Sequence, residues 1–514
     1  MNRSTLPNDL IRAAQACRDA GDWPAALRLF GAAAARDPED GRIQHNIALG
    51  HFALGRPAVA LHHAEAALCR APLLWQSHAL TARIHRAVGD VEGCAAGLHA
   101  VLAIDPGNAT ARLGLADLDL NEFGDAGAAV ARVAELGTSP AHVTDAELTT
   151  LMARLYDRDG LGAEVLSQRL MAFSAREFRL APLPRRPRRA GRLRIGLLSP
   201  LLSASPVHAL TYSTFAALAP EMDLVAFNRG RREDWATAEF RAICRDWHDV
   251  QSLEAEPLAG AIACADIDVL FDLGGWSDPV GLKALSARPA RRIVTWVGGQ
   301  SATTGLDTID AWIGDEWQNP AQSDALYTEP VWRIGGGYVD YTPPPLLSDV
   351  RRAQGVQRGV VIAGNPVKIG SELMRSWPAG VRQVTLLDRR YRHARTRARV
   401  TALLENAGVT VEAVIAPEGH AAYLQALAGF ATMVDTRPYG AGLTAVEGMA
   451  LGLTVLSAGA PGRLFSERHQ QSHARTHGRN PRLAAEISHL VIAMAARDRA
   501  PAPPRNGLTE APGR

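Results

Sequence analysis

From Asn8 to Ser139 apolar positions recur at helical spacing, and the pattern is broken at a fixed interval. Prolines fall at Pro38, Pro72, Pro106 and Pro140, 34 residues apart each time. Gly21, Gly55 and Gly89 keep the same spacing, Gly124 comes one residue late, and small or apolar residues follow at Ala26, Ala60, Cys94 and Ala128. Each glycine predicts a turn between two helices, and each proline follows a helix it cannot continue. A helix–turn–helix period of 34 is the tetratricopeptide signature. Residues 8–140 are therefore expected to form four repeats stacked as an α-solenoid. The concave groove of such a stack most often binds peptide or protein, with a spacer or dimerisation surface as the alternative. Residues 141–180 are expected to give a further helix pair that caps the stack.

The pattern changes after Ala181. The stretch 181–192, APLPRRPRRAGR, predicts an extended, solvated linker, because prolines stiffen it and arginines keep it wet. Its Arg185, Arg186, Arg188 and Arg189 read as a hinge rather than a nucleic-acid patch. Short apolar runs then alternate with helical stretches. Strands fit Leu193 to Leu198, Met222 to Phe227, Ile267 to Leu273, Arg292 to Val297, Ile309 to Gly314 and Val331 to Ile334. A proline turn at Pro343 to Pro345 and a polar segment to Arg358 interrupt the alternation. It resumes with strands at Val360 to Ala363, Gln383 to Leu387, Thr410 to Ile415, Thr432 to Asp435 and Thr454 to Ser457. Strand–helix alternation implies parallel sheets. Two such runs, 193–345 and 357–498, predict two facing Rossmann-like halves with a ligand cleft at the carboxyl ends of their strands. Residues 499–514, rich in Pro and Gly, read as a disordered tail.

One stretch concentrates the candidate chemistry. Asp435 to Ser457 reads DTRPYGAGLTAVEGMALGLTVLS: a strand end, a turn built on Pro438, Gly440 and Gly442, a short helix from Thr444 to Leu451, and the next strand. Free N–H groups and the helix dipole at such a turn make an anion site. Glu447, one turn into the helix, is placed to accept hydrogen bonds from a ribose diol. Thr444-x-x-Glu447 is equally a capping box, which satisfies the helix with no ligand; this stretch alone leaves both readings open.

Composition narrows the function classes. The 514 residues are 47% hydrophobic and 21% charged with a formal net charge of +2, which argues against bulk electrostatic binding to nucleic acid. Cys17, Cys69, Cys94, Cys244 and Cys264 form no C-x-x-C pair, so neither a zinc site nor a disulfide framework is indicated. No metal site is expected. No apolar run approaches the ~18 residues that would span a membrane, and the N-terminal residues lack the apolar core of a signal peptide. A cytoplasmic protein without a membrane or nucleic-acid partner is expected.

Taken in order, these segments resemble the O-GlcNAc transferase family, including its bacterial and Spindly-type relatives. Arg194 to Ser199 (RIGLLS), Ile267 to Gly275 (IDVLFDLGG), Arg288 to Gly298 (RPARRIVTWVG) and Thr303 to Asp310 (TTGLDTID) follow in family order. Asn365 to Trp377 (NPVKIGSELMRSW) resembles the family's Asn-x-x-Lys segment, and Tyr439 to Gly452 its glycine–threonine loop and helix. The resemblance implies a GT-B fold behind the repeats, a nucleotide-sugar donor as co-substrate, no metal or other cofactor, and inverting transfer to Ser or Thr hydroxyls of a protein held by the repeats. Flagellin is the acceptor that the bacterial branch suggests.

The match departs from the family where the sugar would sit. Gly440, Leu443 and Ala445 stand where the family has an asparagine and two threonines. A family histidine after the first strand falls on Ser205, with His208 three residues on. The family's Asn-Gly-His-Thr reads Gly274, Gly275, Trp276, Ser277. The histidine that packs near the base aligns with Tyr423, whose ring still offers a stacking face. The implied site therefore comprises Lys368 on the leaving phosphate, Asn365 fixing its loop, and Gly442 and Thr444 at the phosphate. Glu447 is on the ribose, Tyr423 at the base, and His208 positions the acceptor. An exposed loop lysine and a packed helical histidine are the plain alternatives for Lys368 and His208. Trp276 reads as a pocket wall or a core residue, and the arginines from Arg389 to Arg399 as a solvated face. An inactive adaptor that keeps the fold is the alternative to a transferase, and a transferase of small molecules a third.

Overall fold

The computed structural model describes residues 7–137, 142–184, 191–350, 358–457 and 459–496. Pro140, the linker arginines, the segment before Arg358 and the tail 499–514 lie outside them. The chain divides into two compact units, Met1–Thr150 and Leu151–Arg514.

The first unit is built of antiparallel helix pairs: α1 (Pro7–Asp19) with α2 (Trp23–Ala34), α3 (Gly41–Ala53) with α4 (Pro57–Arg70), α5 (Trp75–Ala87) with α6 (Val91–Ile104), and α7 (Ala109–Asn121) with α8 (Ala126–Ala134). Gly21, Gly55, Gly89 and Gly124 hold φ between +64° and +81°, the left-handed conformation glycine adopts without steric cost. Asp22, Asp90 and Asp125 then start the second helix of their pairs by accepting the N–H of Ala25, Gly93 and Ala128. Ala26, Ala60 and Cys94 are buried between helices, as their spacing predicts. In the fourth repeat the late glycine shifts the buried position from Ala128 to Ala129.

Helix α9 (Val143–Arg154) spans the boundary, and α10 (Ala163–Glu177) belongs to the second unit. There Ser174 donates to the Thr304 carbonyl at 2.5 Å, and Phe173 and Phe178 pack on Trp276.

Strands β1 (Arg194–Ser199), β2 (Asp223–Asn228), β3 (Asp246–Asp249), β4 (Val269–Asp272), β5 (Arg292–Thr295), β6 (Ala311–Gly314) and β7 (Val331–Arg333) form the first sheet, with α11 (Pro206–Leu218), α12 (Trp235–Ile243), α13 (Ala255–Cys264) and α14 (Pro279–Leu285) between them. The sheet order is β3-β2-β1-β4-β5-β6-β7, and every pair is parallel. The second half runs β8 (Arg358–Ala363), α15 (Ser371–Arg375), β9 (Gln383–Leu387), α16 (Ala394–Asn406), β10 (Thr410–Ile415), α17 (Gly419–Leu427), β11 (Phe430–Val434), α18 (Leu443–Ala450), β12 (Thr454–Leu456) and α19 (His469–Thr476). Its parallel order is β10-β9-β8-β11-β12. The last helix, α20 (Leu483–Ala496), returns to the first half, where the Met494 carbonyl accepts from Arg292. Central strands such as β4 and β5 are buried throughout, which is why they read as unbroken apolar runs. The edge strand β3, DWHD, is polar and part-exposed, and the apolar pattern gave no sign of it.

The strand order reverses between β1 and β4 in one sheet and between β8 and β11 in the other. Ligands of open α/β sheets sit beyond the carboxyl ends of the strands at such switch points.

Candidate functional site

The loops that leave these strand ends enclose two adjoining cavities. The larger, about 580 Å3, is lined by Ser205 and His208 after β1, Arg232 after β2, Asp388 to Arg390 after β9, His420 and Tyr423 after β10, and Glu447. The smaller, about 190 Å3, is lined by Gly298 and Gln300 after β5, Lys368 after β8, Tyr439 and Gly442 to Thr444 after β11, and His469. Pro206 and Leu443 border both.

Lys368 ends a tight 3-10 turn, Pro366–Lys368, that follows β8. Asn365 caps this turn by accepting the Val367 N–H at 3.1 Å, so the expected loop-fixing role is what its side chain does. Arg399 reaches from α16 to the carbonyls of Ile369 at 3.1 Å and Pro366 at 2.8 Å. Ile369 also bridges Arg437 in the loop after β11. Held this way, Lys368 is not an exposed loop lysine. Its Nζ donates to the Gly440 carbonyl at 2.9 Å and lies 4.2 Å from the centre of the Tyr439 ring. Burial pulls its pKa down to about 8; the Asp435 carboxylate opposes that shift and Arg390 adds to it.

The arginine run is not simply a solvated face. Arg399 braces the lysine turn, while Arg389 and Arg390 line the larger cavity, Arg390 paired with Asp388 at 3.2 Å. A planar, multi-donor guanidinium can bridge two carbonyls in this way where an ammonium would reach one.

The capping-box reading of Thr444-x-x-Glu447 is corrected by where the helix starts. Helix α18 begins at Leu443 with Gly442 as its N-cap and no side-chain cap, so Thr444 already lies inside the first turn. Glu447 is buried and its Oε1 is 2.7 Å from His420 Nε2. That hydrogen bond raises the His420 pKa against the cost of burial, helped by the Glu447 charge. Asp435 closes β11 and accepts the Ala441 N–H at 2.7 Å, which fixes the glycine turn. Burial lifts the pKa of Asp435 to about 6 against that bond and against Lys368.

Tyr423 stands beside His420, their rings 6.1 Å apart, and packs into the core of the second half. Ser205, at the family's histidine position, is the N-cap of α11 and accepts the Val207 N–H. His208 does line the larger cavity, but its Nε2 is 2.7 Å from Glu239 and its ring stacks on Tyr212. Burial lowers its pKa against the pull of Glu239. Trp276 is a core residue: its indole donates to the Thr303 carbonyl at 3.0 Å and its ring packs at a tilt against Phe173 and Phe178. The turn that carries it packs backbone to backbone against the next loop, where a Cβ on Gly299 would stand 2.1 Å from the Gly274 carbonyl.

Sequence reasoning missed Tyr439, His469 and His420. Tyr439 is the residue where segments meet. Its hydroxyl is 3.0 Å from Ser301 of the first half, its ring carries Lys368, and Tyr156 stacks on it at 5.0 Å. Its place beside the glycine turn was the one available signal.

No protein-family model matches the chain. Among curated proteins it is 25% identical over 306 residues to the probable UDP-N-acetylglucosamine–peptide N-acetylglucosaminyltransferase SPINDLY of Solanum lycopersicum, across 54% of this chain and 31% of that protein. It is 25% identical over 227 residues to the Petunia hybrida protein of the same description, across 41% and 24%. The chain thus spans a third or less of the length of these relatives. A solved lysine-to-methionine variant of the Thermobaculum terrenum O-GlcNAc transferase superposes with a TM-score of 0.57 at 23% identity, over 96% of this chain and 95% of that one. The chain resembles the O-GlcNAc transferase family in both sequence and fold. The likeness in fold covers the repeat helices and both Rossmann-like halves. Among the described residues no helix is long and apolar enough to cross a membrane.

Proposed function

We propose that the chain transfers a sugar from a nucleotide-sugar donor to Ser or Thr hydroxyls of a protein held by its repeats. The observation that carries this reading is the convergence of Lys368, the N-terminus of α18 and Glu447 on adjoining cavities at two switch points. The geometry suits a leaving nucleoside diphosphate. Glu447 takes the ribose, Tyr423 flanks the base, and Lys368 with the Gly442–Thr444 turn neutralises the phosphates as the glycosidic bond breaks. This arrangement gives the charge work to protein groups rather than to a divalent metal ion. The smaller cavity is lined by no carboxylate among the described residues, so direct displacement with inversion is the simplest course. His208 lies on the acceptor side of the larger cavity. The relatives' description as peptide glycosyltransferases supports a protein acceptor; flagellin, met in the cytoplasm, is the first acceptor to test.

The donor is expected to differ from UDP-GlcNAc, because Gly440, Leu443 and Ala445 supply none of the side-chain hydrogen bonds the resembled loop would give. A site lacking those groups loses its selection for the hydroxyls they would bind. Mass spectrometry of proteins co-purified from cells with and without the chain tests the function directly. A sugar-mass shift that depends on the chain supports transfer. Its absence, with a partner still captured, supports the inactive adaptor. Calorimetry against UDP-, GDP- and CMP-sugars tests the donor, and tight selective UDP-GlcNAc binding would overturn this part.

A further inference from the structure

His469 sits at the wall of the smaller cavity, and its hydrogen bonds fix which nitrogen carries the proton. Gln318 Nε2 lies 2.5 Å from the Phe465 carbonyl, an atom that only accepts. That contact orients the amide, since the reversed amide would set two oxygens against each other. The same Nε2 is 3.0 Å from His469 Nδ1, and the Tyr338 hydroxyl is 3.2 Å from it. Nδ1 therefore accepts, and the proton of the neutral ring resides on Nε2. Burial keeps the ring neutral, with His473 and Lys368 pushing the same way.

The Nε2 edge faces the glycine turn. A Cβ built on Gly442 would stand 3.8 Å from both Cδ2 and Nε2, and Gly442 and His469 both line the cavity. Lys368 is the one charged residue among its described lining residues; the rest of the wall is Pro206, Leu210, Gln300, Tyr338, Tyr439 and other neutral groups. A phosphate belongs at the lysine end. A volume of about 190 Å3 admits a ring-sized neutral group, since one water occupies ~30 Å3.

On the transferase reading, we propose that His469 presents its Nε2–H as a hydrogen-bond donor to a hydroxyl or ring oxygen of the transferred sugar. It would supply, from α19, selectivity that the glycine turn lacks. Gln318 is then a positioning residue that locks the tautomer without touching the ligand.

Titration calorimetry with the full chain compares UDP, GDP and CMP with their sugar conjugates, taking the pair that the unaltered protein binds best. In His469→Phe the nucleotide sugar is expected to bind about tenfold more weakly or worse, with the bare nucleotide within about twofold. His469→Gln, which keeps an N–H donor, should recover most of the loss. Gln318→Leu, which frees the tautomer, should weaken the sugar conjugate alone by about threefold. Thermal melts identify any variant that fails to fold, and the remaining variants then decide the matter. Unchanged sugar-conjugate affinity in His469→Phe overturns the inference, as does an equal loss for the bare nucleotide, which would put His469 on phosphate. A folded, unaltered protein that binds none of the panel overturns the transferase reading itself and this inference with it.

Discussion

Lys368 Nζ lies 4.2 Å from the centre of the Tyr439 ring while it donates to the carbonyl of the next residue, Gly440. One side chain therefore ties the loop after β8 to the turn after β11 across the switch point of the second sheet. A cation–π contact of this kind is worth ~0.5–2 kcal/mol, so the lysine contributes to the loop's structure as well as to its charge.

Replacing Lys368 separates these roles. If its bond to phosphate strengthens as the nucleotide leaves, Lys368→Ala lowers turnover by about 10²–10³-fold. It also leaves the Gly440 carbonyl without its donor, a cost of about 1–3 kcal/mol visible in thermal melts. Lys368→Met keeps the apolar stem and should fold better while remaining as inactive. Lys368→Arg restores activity in part, because a planar fork does not replace a compact ammonium. Single-turnover transfer at the unaltered rate in these variants would remove Lys368 from the site.

The pH profile should carry the lysine's signature. With its folded pKa at about 8, the free protein loses the ammonium as pH rises through that value, and kcat/KM should fall there. A bound diphosphate favours the charged form, so the matching limb in kcat should lie higher. The unfolded lysine titrates near ~10.4. Between those values the unfolded chain binds more protons, so this group adds stability as pH climbs. Lys368→Met should abolish both effects; a kcat/KM profile that is flat from pH 7 to about pH 9 in the unaltered protein would contradict the assignment.

Glu447 is expected to read the ribose. A charged hydrogen bond of ~1.5–3 kcal/mol corresponds to about 10–100-fold in affinity. Glu447→Gln should lose that much for a ribonucleoside diphosphate and far less for its 2′-deoxy analogue. Its partner His420 has a raised pKa. The ion pair's contribution is fully present below the ordinary histidine value of ~6.5 and is lost as pH rises through the folded value. Equal affinities for ribo and deoxy ligands in the unaltered protein would place Glu447 elsewhere.

The repeats can be cut away at a point the structure defines. Removing residues 1–150 should leave a folded second unit that binds nucleotide but modifies its protein acceptor poorly. Removing residues 1–174 takes Tyr156 from Tyr439 and Ser174 from Thr304, and an aromatic deleted from a core costs ~3–5 kcal/mol. That shorter protein should melt well below the first. If the 151–514 protein modified its natural target as fast as the full chain, acceptor capture by the repeats would be wrong.

Periodicity alone set out the architecture. The interval between prolines and between glycines specified the repeats, because each helix pair must turn at a left-handed glycine such as Gly55 and stop before a proline. The unbroken apolar runs specified buried parallel strands, because both faces of β4 and β5 are covered. Lys368, Asn365, Gly442, Thr444, Tyr423, Glu447 and His208 were all legible as candidates; the fold brings all but Asn365 to the walls of two adjoining cavities, and Asn365 caps the turn that carries Lys368. What tertiary structure alone decided is the state of each group. The start of α18 at Leu443 removed the capping box, since the N-cap falls on Gly442, two residues before the hydroxyl of Thr444. Contacts between distant segments made Trp276 a core residue and turned Arg399 into a brace. They also set Tyr156 on Tyr439 and Gln318 on His469. No local pattern encodes such pairs, because their members lie far apart in the chain and meet only when the two sheets and α10 close around a shared cleft.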